Sequence, residues 1–313
     1  MAGRQINQVV IAARGTSDNA GRYAQYLFGA MNGLLVALAT PSLFTYYGRP
    51  PRLQHALVLG ISQSGMSPDV VAVLAEARRQ GALTAVLTNA PDSALAAQAD
   101  FIVDLCAGEE RAVAATKTYT AELAGIALMS AVLAGDPEML GDLDKAPEAV
   151  SRALATDEAA HAAAERLRPA RYAAVLGRGF NYATAFELAL KLQELSYTSC
   201  HPYSSADFRH GPLAMVERGF PVIAVAASGP LLEDLRQIQA TLREHGAEIL
   251  CISDDPSAPD PAAHRLDVPR HVPEWLSPLP LIVPGQLLAL HLAELRGYDV
   301  DAPRSIQKIT ETY

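Results

Sequence analysis

The chain of 313 residues is poor in cysteine and aromatic residues, and each shortage excludes a class of protein. Its three cysteines lie far apart and form no CxxC pair, so neither a zinc ribbon nor a thioredoxin-type redox site is expected. An odd and sparse cysteine count is typical of a reducing compartment. The histidines show no HxxxH or HxH spacing. We therefore expect no metal ion and no cofactor.

Basic residues are also few, 25 against 34 acidic ones, which gives a formal net charge of −9. Such a chain without a basic run is a poor general binder of nucleic acid, because phosphate neutralisation needs clustered lysine and arginine. The N-terminus has no hydrophobic signal region, and the longest apolar stretches are broken by charge or glycine within about 20 residues. The sequence predicts a cytoplasmic protein that binds neither nucleic acid nor membrane.

What is present is a series of short apolar runs, most of which end at small or polar turn residues and are followed by a helical pattern. The predicted strands are 9–13, 57–61, 82–87 and 101–105, then 173–176, 221–226 and 247–252. The predicted helices of the first half are 21–31, 68–80 and 116–133. This alternation is typical of an α/β fold with a parallel sheet.

The pattern occurs twice along the chain. Glycine landmarks 50 residues apart in the first half recur in the second at an offset of 164: Gly15 and Gly65, then Gly179 and Gly229. We interpret the repeat as two similar domains, the alternative being a chance match of common dipeptides. Glycine, aspartate and proline cluster at 135–147, where the two domains join, and a proline-rich stretch at 255–284 with two short extended runs interrupts the second domain.

One turn carries an unusual density of hydroxyl groups. Ser62-Gln-Ser-Gly-Met-Ser67 follows a predicted strand and precedes a helix opened by Pro68. Ligands of parallel sheets bind at the carboxyl ends of strands, and a helix N-terminus with added hydroxyl donors suits a phosphate. Ordinary serine capping is the alternative. The equivalent second turn, 226–231, has lost most hydroxyls, which predicts one phosphate site, in the first domain.

Three further positions are ambiguous from spacing alone. Glu187, Lys191 and Glu194 fall on one helical face, and this spacing favours an exposed helix with Glu–Lys pairs over a functional cluster. His210 precedes Gly-Pro and is expected at a turn or helix end, where it is either a surface residue or an acid–base group. Lys308 lies in the C-terminal tail, where a solvated lysine is the commoner case.

Taken together, the motifs resemble the sugar isomerase (SIS) family, particularly the isomerase half of glucosamine-6-phosphate synthase and the SIS-type glucosamine-6-phosphate deaminases. The motifs that carry the resemblance are RGTS at 14–17, SQSG at 62–65, AATKTYTAEL at 114–123, LGRGFNYATAFELALKLQELSY at 176–197, FRHGPLA at 208–214, VPEWLSPLPLIVPGQLLA at 272–289 and DVDAPRSIQKITET at 299–312. The resemblance implies two SIS domains, each a doubly wound five-stranded parallel sheet flanked by helices, assembled as a homodimer. We expect domains at 1–142 and 151–300, with a tail at 301–313 that closes the active site.

The resemblance also implies the site residues. A sugar phosphate would be bound by seven positions of the first domain: Thr16, Ser17, Ser62, Gln63, Ser64, Ser67 and Val113. Glu194 would move a proton between C1 and C2 of the sugar, His210 would open its ring, and Lys308 would engage the open-chain carbonyl. Glu187 and Lys191 would orient the pocket.

The chain departs from the family pattern in three places. Ala115 stands where a serine is often found, and the first strand begins about seven residues into the chain. The sequence starts with Met1-Ala2 and not with the catalytic cysteine of a glutamine-hydrolysing domain, so glutamine-dependent synthesis is not expected. The implied reaction is therefore glucosamine 6-phosphate plus water to fructose 6-phosphate plus ammonia. The alternatives are another amino-sugar or fructosamine 6-phosphate as substrate, a simple aldose–ketose pair, or a non-catalytic phosphosugar sensor.

Overall fold

A computed structural model describes residues 6–306. It divides into two compact units, the first taking in residues up to Pro137 together with 305–306, and the second being Glu138–Arg304. Each unit contains a five-stranded parallel sheet with flanking helices, so the predicted fold class is confirmed. The units separate between Pro137 and Glu138, inside the segment where the sequence places the join. The limits at 142 and 151 stay predictions.

The first unit alternates strands and helices from its start. Its elements are β1 (Gln8–Ala12), α1 (Thr16–Asn32), β2 (Leu35–Leu38), α2 (Ser42–Thr45), β3 (Ala56–Ser62), α3 (Pro68–Arg79), β4 (Leu83–Thr88), β5 (Phe101–Asp104) and α4 (Lys117–Ala134). The strand order is β2-β1-β3-β4-β5. The chain therefore places β2 on one side of β1, then crosses over and adds β3, β4 and β5 on the other side. This reversal makes the β1–β3 boundary the topological switch point, where open α/β sheets bind ligands.

Helices cover both faces of the first sheet. Every residue of the central strand β3 is buried, as expected for a parallel strand enclosed on two sides. On one face, Val58 and Val86 pack into the cluster that α3 forms with Val73 and Leu74. On the other face, α1 and α4 approach closely, because glycines stand where they meet the strand residues Ile11 and Leu87.

The second unit repeats this order after three leading helices. Its elements are α5 (Pro137–Leu143), α6 (Ala146–Ala153), α7 (Asp157–Leu167), β6 (Tyr172–Gly177), α8 (Tyr182–Ser196), β7 (Ser199–Ser204), α9 (Ser205–Arg209), β8 (Pro221–Val225), α10 (Leu232–Glu244), β9 (Glu248–Ser253), β10 (His264–Asp267) and α11 (Pro278–Leu295). The strand order β7-β6-β8-β9-β10 matches that of the first unit, with β6–β8 as its switch point. The predicted repeat is confirmed.

All seven predicted strands are present. The strands β2 and β7 were missed, and β10 lies in the proline-rich stretch, where two short extended runs were predicted without bounds. Each of the three lies at an edge of its sheet. An edge strand is covered on fewer sides, so its sequence need not form an apolar run: β7 reads SCHPYS and β10 reads HRLD. Periodicity therefore identifies the central strands and misses most of the edges.

The proline-rich stretch was interpreted wrongly at its C-terminal end. Residues from Pro278 onward form α11, with Pro284 inside the helix, where we expected an interruption up to 284. Pro278 and Pro280 lie in the first turn, where proline is tolerated because those N–H groups have no helical partner; Pro284 lies beyond that turn. The segment Glu274–Leu295 is long and apolar enough to cross a membrane, yet 78% of its most apolar window is buried. Since α11 packs against α7 and α8, it is a core helix of the second unit.

Candidate functional site

Two loops meet at the switch point of the first unit. Ala12 of β1 pairs with Gly60 of β3, so the loops that follow these strands leave the same sheet edge side by side. The first loop leads into α1 and the second, 62–67, leads into α3. Both helices therefore direct their N-terminal N–H groups and partial positive charge toward this edge.

The second loop keeps its hydroxyl protons available. Ser62 Oγ accepts a hydrogen bond from Gly65 N at 3.0 Å, and Ser64 Oγ accepts one from Met66 N at 3.3 Å. An accepting hydroxyl retains its own proton to donate to an anion. Ser67 is the N-cap of α3 but makes no side-chain capping hydrogen bond. Ordinary serine capping therefore does not explain Ser67. Gln63 and Ser64, in the same loop, are partly exposed.

Only glycine fits at the centre of this loop. Gly65 has a φ of +62°, and a Cβ atom there would lie 2.0 Å from Ser93 Oγ. From behind, Leu95 N donates to the Gly65 carbonyl at 3.1 Å. The loop is thus fixed against the residues that follow β4, with its serines at the sheet edge.

The first loop contributes differently from what the sequence predicted. Thr16 begins α1 and is partly buried. Ser17 is almost fully buried, and its hydroxyl donates to Glu122 Oε1 of α4 at 2.7 Å. Since a hydroxyl has one proton, Ser17 Oγ in this arrangement can offer an anion no donor, although its backbone N–H lies in the first turn of the helix. Its side-chain role in phosphate binding stays a prediction.

Val113 lies in the segment between β5 and α4, which is fixed at both ends. At one end, Asn89 binds the backbone of Ala107 and Gly108 at 2.9 and 2.7 Å. At the other, the buried carboxylate of Glu110 accepts hydrogen bonds from the start of α4, including the Thr118 backbone N–H at 2.9 Å. Val113 itself is partly buried, as is Ala115 two residues later.

An ion pair joins the two loops. Arg14 follows β1, and its Nε and a terminal guanidinium nitrogen each lie 2.6 Å from Asp69 Oδ2. Asp69 is in the first turn of α3 and is 1% exposed. The sequence analysis did not identify Asp69, and it included Arg14 only as part of the RGTS motif. The repeat carried the signal, because Arg178 and Asp234 stand 164 and 165 residues later and also pair, at 2.8 Å.

The equivalent loop of the second unit is filled by the protein's own carboxylates. Ser228 donates both its backbone N–H and its hydroxyl to Asp254 Oδ1, at 2.7 and 2.9 Å. A Cβ atom on Gly229 would lie 2.5 Å from the carboxyl carbon of Glu274. Burial raises the pKa of Glu274, and the nearby charge of Asp254 raises it further. A carboxyl group thus stands over the loop that corresponds to 62–67.

The acidic and basic residues of α8 form a buried cluster. Lys191 Nζ lies 2.5 Å from Glu194 Oε2 and 3.3 Å from Glu187 Oε1. The side chains of Lys191 and Glu187 are 1% and 0% exposed, whereas that of Glu194 is 24% exposed. Burial lowers the pKa of Lys191, but the two carboxylates outweigh it and leave that pKa above its ordinary value of 10.5. The interpretation of an exposed Glu–Lys helix was wrong: two charges are sequestered and one carboxylate reaches the surface of the unit.

His210 stands at a helix end, as predicted. It is the C-cap of the short helix α9 and is exposed. Its neighbour Arg209 binds Asp234 Oδ1 at 2.7 Å, and Asp234 also accepts from Arg178 and from the hydroxyl of Ser205. Burial raises the pKa of Asp234, but these hydrogen bonds outweigh it and leave the pKa below its usual range. The turn that carries His210 is therefore tied to α10 and to the loop after β6.

The predicted tail residue Lys308 lies outside the described residues. Within 6–306, no three or more histidine, cysteine, aspartate or glutamate side chains are grouped so that they could hold a metal ion. The structure thus brings together the two loops of the first unit, and separately the Glu187–Lys191–Glu194 cluster of the second.

Comparison with known proteins identifies the family. The SIS domain matches residues 4–132 and 166–294. The chain belongs to the SIS domain family. Over 317 residues it is 35% identical to the isomerizing glutamine–fructose-6-phosphate aminotransferase of Zymomonas mobilis, covering 97% of this chain and 52% of that protein. The SIS chain thus spans about half the length of the curated relatives it matches.

Solved structures of SIS proteins agree with this fold. The C-terminal domain of glucosamine–fructose-6-phosphate aminotransferase from Francisella tularensis superposes with a TM-score of 0.90 at 28% identity, covering 96% of this chain and 88% of that one. Glucosamine-6-phosphate deaminase from Thermotoga maritima superposes with a TM-score of 0.80 at 22% identity, covering 98% and 91%. The second likeness shows a shared fold alone.

Proposed function

We propose that this SIS protein is a phosphosugar aldose–ketose isomerase and deaminase that converts glucosamine 6-phosphate and water to fructose 6-phosphate and ammonia. The observation that carries the proposal is the loop 62–67, where three serine hydroxyls surround a glycine at a helix N-terminus on the switch point. This arrangement suits a phosphate group held by neutral hydrogen bonds. The resemblance to SIS enzymes implies that the phosphate belongs to a sugar.

In this proposal the first unit binds the phosphate end of the substrate. Ser62, Ser64 and Ser67 donate their hydroxyl protons, and Gln63 adds an amide donor. The first-turn N–H groups of α3 complete the site, because they have no partner within the helix. Thr16, Ser17 and Val113 are assigned to the sugar phosphate by the family resemblance.

The second unit supplies the acid–base groups. Glu194 removes the proton from C2 of the open-chain aldose and returns it to C1, while one proton of the amine passes to the former aldehyde oxygen. C1 becomes a CH2OH group, and the amine-bearing C2 becomes an imine. Water then adds to C2 and ammonia leaves, which gives the ketose. A carboxylate suits this transfer if it lies within hydrogen-bond reach of the carbon acid. Lys191 fixes the rotamer of Glu194 at 2.5 Å, with Glu187 on its other side at 3.3 Å.

Two residues are assigned on the resemblance alone. His210 opens the sugar ring by giving a proton to the ring oxygen as its bond to C1 breaks, while the C1 hydroxyl loses its proton and becomes the aldehyde. An imidazole suits this transfer because its unperturbed pKa is near neutrality. Lys308 engages the open-chain carbonyl. We place the protein in the cytoplasm and propose that it works without a cofactor and binds neither nucleic acid nor membrane.

We also propose that the SIS protein is a homodimer. Its helix α4 is apolar around most of its circumference and leaves Leu128, Val132 and Leu133 exposed, with Val132 at 62%. An exposed apolar patch of this kind is typical of an interface. Light scattering on the wild type and on V132E tests the proposal: a dimer that dissociates in the variant supports it, and a monomeric wild type contradicts it.

Ammonia release and fructose 6-phosphate formation from glucosamine 6-phosphate test the reaction. We expect turnover by the wild type, loss of at least about 100-fold in E194Q, and wild-type activity in E165Q, a matched change at an exposed glutamate of α7. Fructose 6-phosphate binding by E194Q, measured by calorimetry, should stay close to that of the wild type. Activity retained in E194Q would contradict the proton-transfer role.

A wild type that binds fructose 6-phosphate without releasing ammonia would contradict the deaminase reaction. A panel of galactosamine, fructosamine and simple ketose phosphates would then separate another substrate from a sensor, since a sensor turns over none of them. Failure to bind any sugar phosphate would contradict the phosphate site itself. S64A and S67A should each raise KM with little change in kcat, because they remove binding present before and during the reaction.

A further inference from the structure

The ion pair between Arg14 and Asp69 spans the two loops of the proposed phosphate site. Asp69 accepts both guanidinium contacts on Oδ2, at 2.6 Å each, and accepts the Val70 N–H on Oδ1 at 2.8 Å. Asp69 is buried, and the side chain of Arg14 is 49% exposed. The pair therefore fixes the loop after β1 to the first turn of α3, two residues beyond Ser67.

Two carboxylates lie near the proposed phosphate site, and the cation of this ion pair offsets their negative charge. Asp69 lies in the first turn of α3, and Asp18 lies in the first turn of α1. Both helix N-termini face the edge at which the phosphate would bind, so each carries a carboxylate beside the position of a dianion. The negative charges of these carboxylates and of the phosphate repel one another, and the repulsion is stronger in a partly buried site than in water. Arg14 binds Asp69 directly and also interacts with Asp18, which has Arg22 as a second cation at 3.1 Å.

We propose that Arg14 is a positioning residue of the phosphate site, which acts through Asp69 to hold the two loops in register and to offset the first-turn carboxylates. The inference rests on the proposed function. Arg14 need not contact the phosphate, because its role is to neutralise and fix the acidic residue behind the serine loop.

The second unit supports the positioning role. Its equivalent pair, Arg178 and Asp234, joins the same two places of the repeat at 2.8 Å, although the loop there lacks most hydroxyl donors and faces Glu274. Both units thus contain this arginine–aspartate ion pair, and the pair does not depend on a phosphate ligand. In the first unit, the ion pair fixes the helix turn that directly follows the serine loop.

A double-mutant cycle on fructose 6-phosphate binding tests the proposal. Calorimetric Kd values are compared for the wild type, R14M, D69N and R14M/D69N, with R79M as the control because Arg79 pairs with Glu76 at the exposed far end of the same helix. We expect R14M to weaken binding at least about tenfold and R79M to match the wild type. The double variant should recover part of the loss, because the uncompensated carboxylate is gone although the contact between the loops is not restored. R14K should retain part of the affinity.

Catalytic measurements separate positioning from general loss of structure. R14M should raise KM for the sugar phosphate about tenfold while kcat changes by less than about threefold, and its circular dichroism should match that of the wild type. A double variant as weak as R14M would show that Arg14 does not offset the charge of Asp69 and would overturn the inference, as would an R14M variant that binds like the wild type. A wild type that does not bind fructose 6-phosphate would overturn the proposed function and this inference with it.

Discussion

The buried lysine of α8 yields a quantitative prediction. Replacing Lys191 by methionine keeps the length of the side chain but removes the cation that lies between Glu187 and Glu194. Breaking a buried charge pair by removing one partner typically costs about 3–5 kcal/mol, because the remaining carboxylate loses its compensation in a dry environment. We therefore expect K191M to lower the free energy of unfolding of the second unit by that amount.

The single tryptophan provides a probe for that unit. Trp275 is buried and lies within Glu138–Arg304, so its fluorescence in urea reports the unfolding of the second unit. With an m-value of about 2 kcal/mol/M, a loss of about 3–5 kcal/mol lowers the urea midpoint by about 1.5–2.5 M. K145M is the matched control: Lys145 pairs with Asp142 at 2.8 Å, also at i,i+3, but is 52% exposed. Its midpoint should move by less than about 0.5 M.

Two further measurements decide whether charge burial is the cause. E187Q/K191M should recover part of the loss, because no buried carboxylate then lacks its cation. The pKa of Lys191 is raised in the folded state, so its stabilising effect is complete below pH 10.5 and declines as pH rises beyond that value. The gap between wild type and K191M should therefore narrow above pH 10.5. A K191M midpoint within about 0.5 M of wild type at pH 7 would refute the reasoning.

Four other outcomes follow from the structure. G65A should abolish fructose 6-phosphate binding and lower the unfolding midpoint, since its Cβ would lie 2.0 Å from Ser93 Oγ, whereas G15A, with no atom within 4 Å, should cost about 1 kcal/mol for its φ of +54° alone. E274Q should raise the melting temperature by an amount that grows as pH rises above 4.5, because a carboxyl with a raised folded pKa costs stability as it ionises; a difference that does not grow above pH 4.5 would contradict this. Thiol titration should find one reactive cysteine, Cys106, in the native protein and three in denaturant, because burial raises the pKa of Cys200 and Cys251 to about 12. D234N should reduce turnover more than fructose 6-phosphate affinity by loosening the His210 turn, while D260N, which breaks a pair with Arg243 at 2.8 Å, should spare both.

The central part of each sheet was predictable because its strands are enclosed on both sides. Burial on two faces leaves continuous apolar runs such as ALVLGIS in β3, and these runs are visible in the sequence. The serine loop was equally visible, since it has more hydroxyls than capping requires. The edge strands and the helix through Pro284 were not, because their conformation depends on what packs against them.

The charge cluster of α8 shows a different limit. Residues at i and i+4 have the same spacing on an exposed helix as on a buried one. Burial is decided by the partners of the helix, namely α11 and the strands β6 and β7. The stronger signal was the rest of the helix, where Phe186 and Leu190 form a second apolar stripe opposite that of Leu188 and Leu192 and leave little room for an exposed face. An ion pair on a helix with several apolar stripes is better interpreted as buried.

The repeat itself explains where the two units differ. Gly65 and Gly229 are 164 residues apart, but Asp69 and Asp234 are 165 apart, so the second unit has one extra residue between the loop and its acidic partner. That residue lies in the turn that begins α10, beside the loop that has lost its hydroxyls and faces Glu274. The arginine–aspartate ion pair persists across this insertion, which indicates that the pair does not depend on the hydroxyl groups of the loop. Removing the Glu274 carboxyl alone should therefore leave the second unit without a phosphate site, because the loop beneath still lacks the donors that Ser62, Ser64 and Ser67 provide.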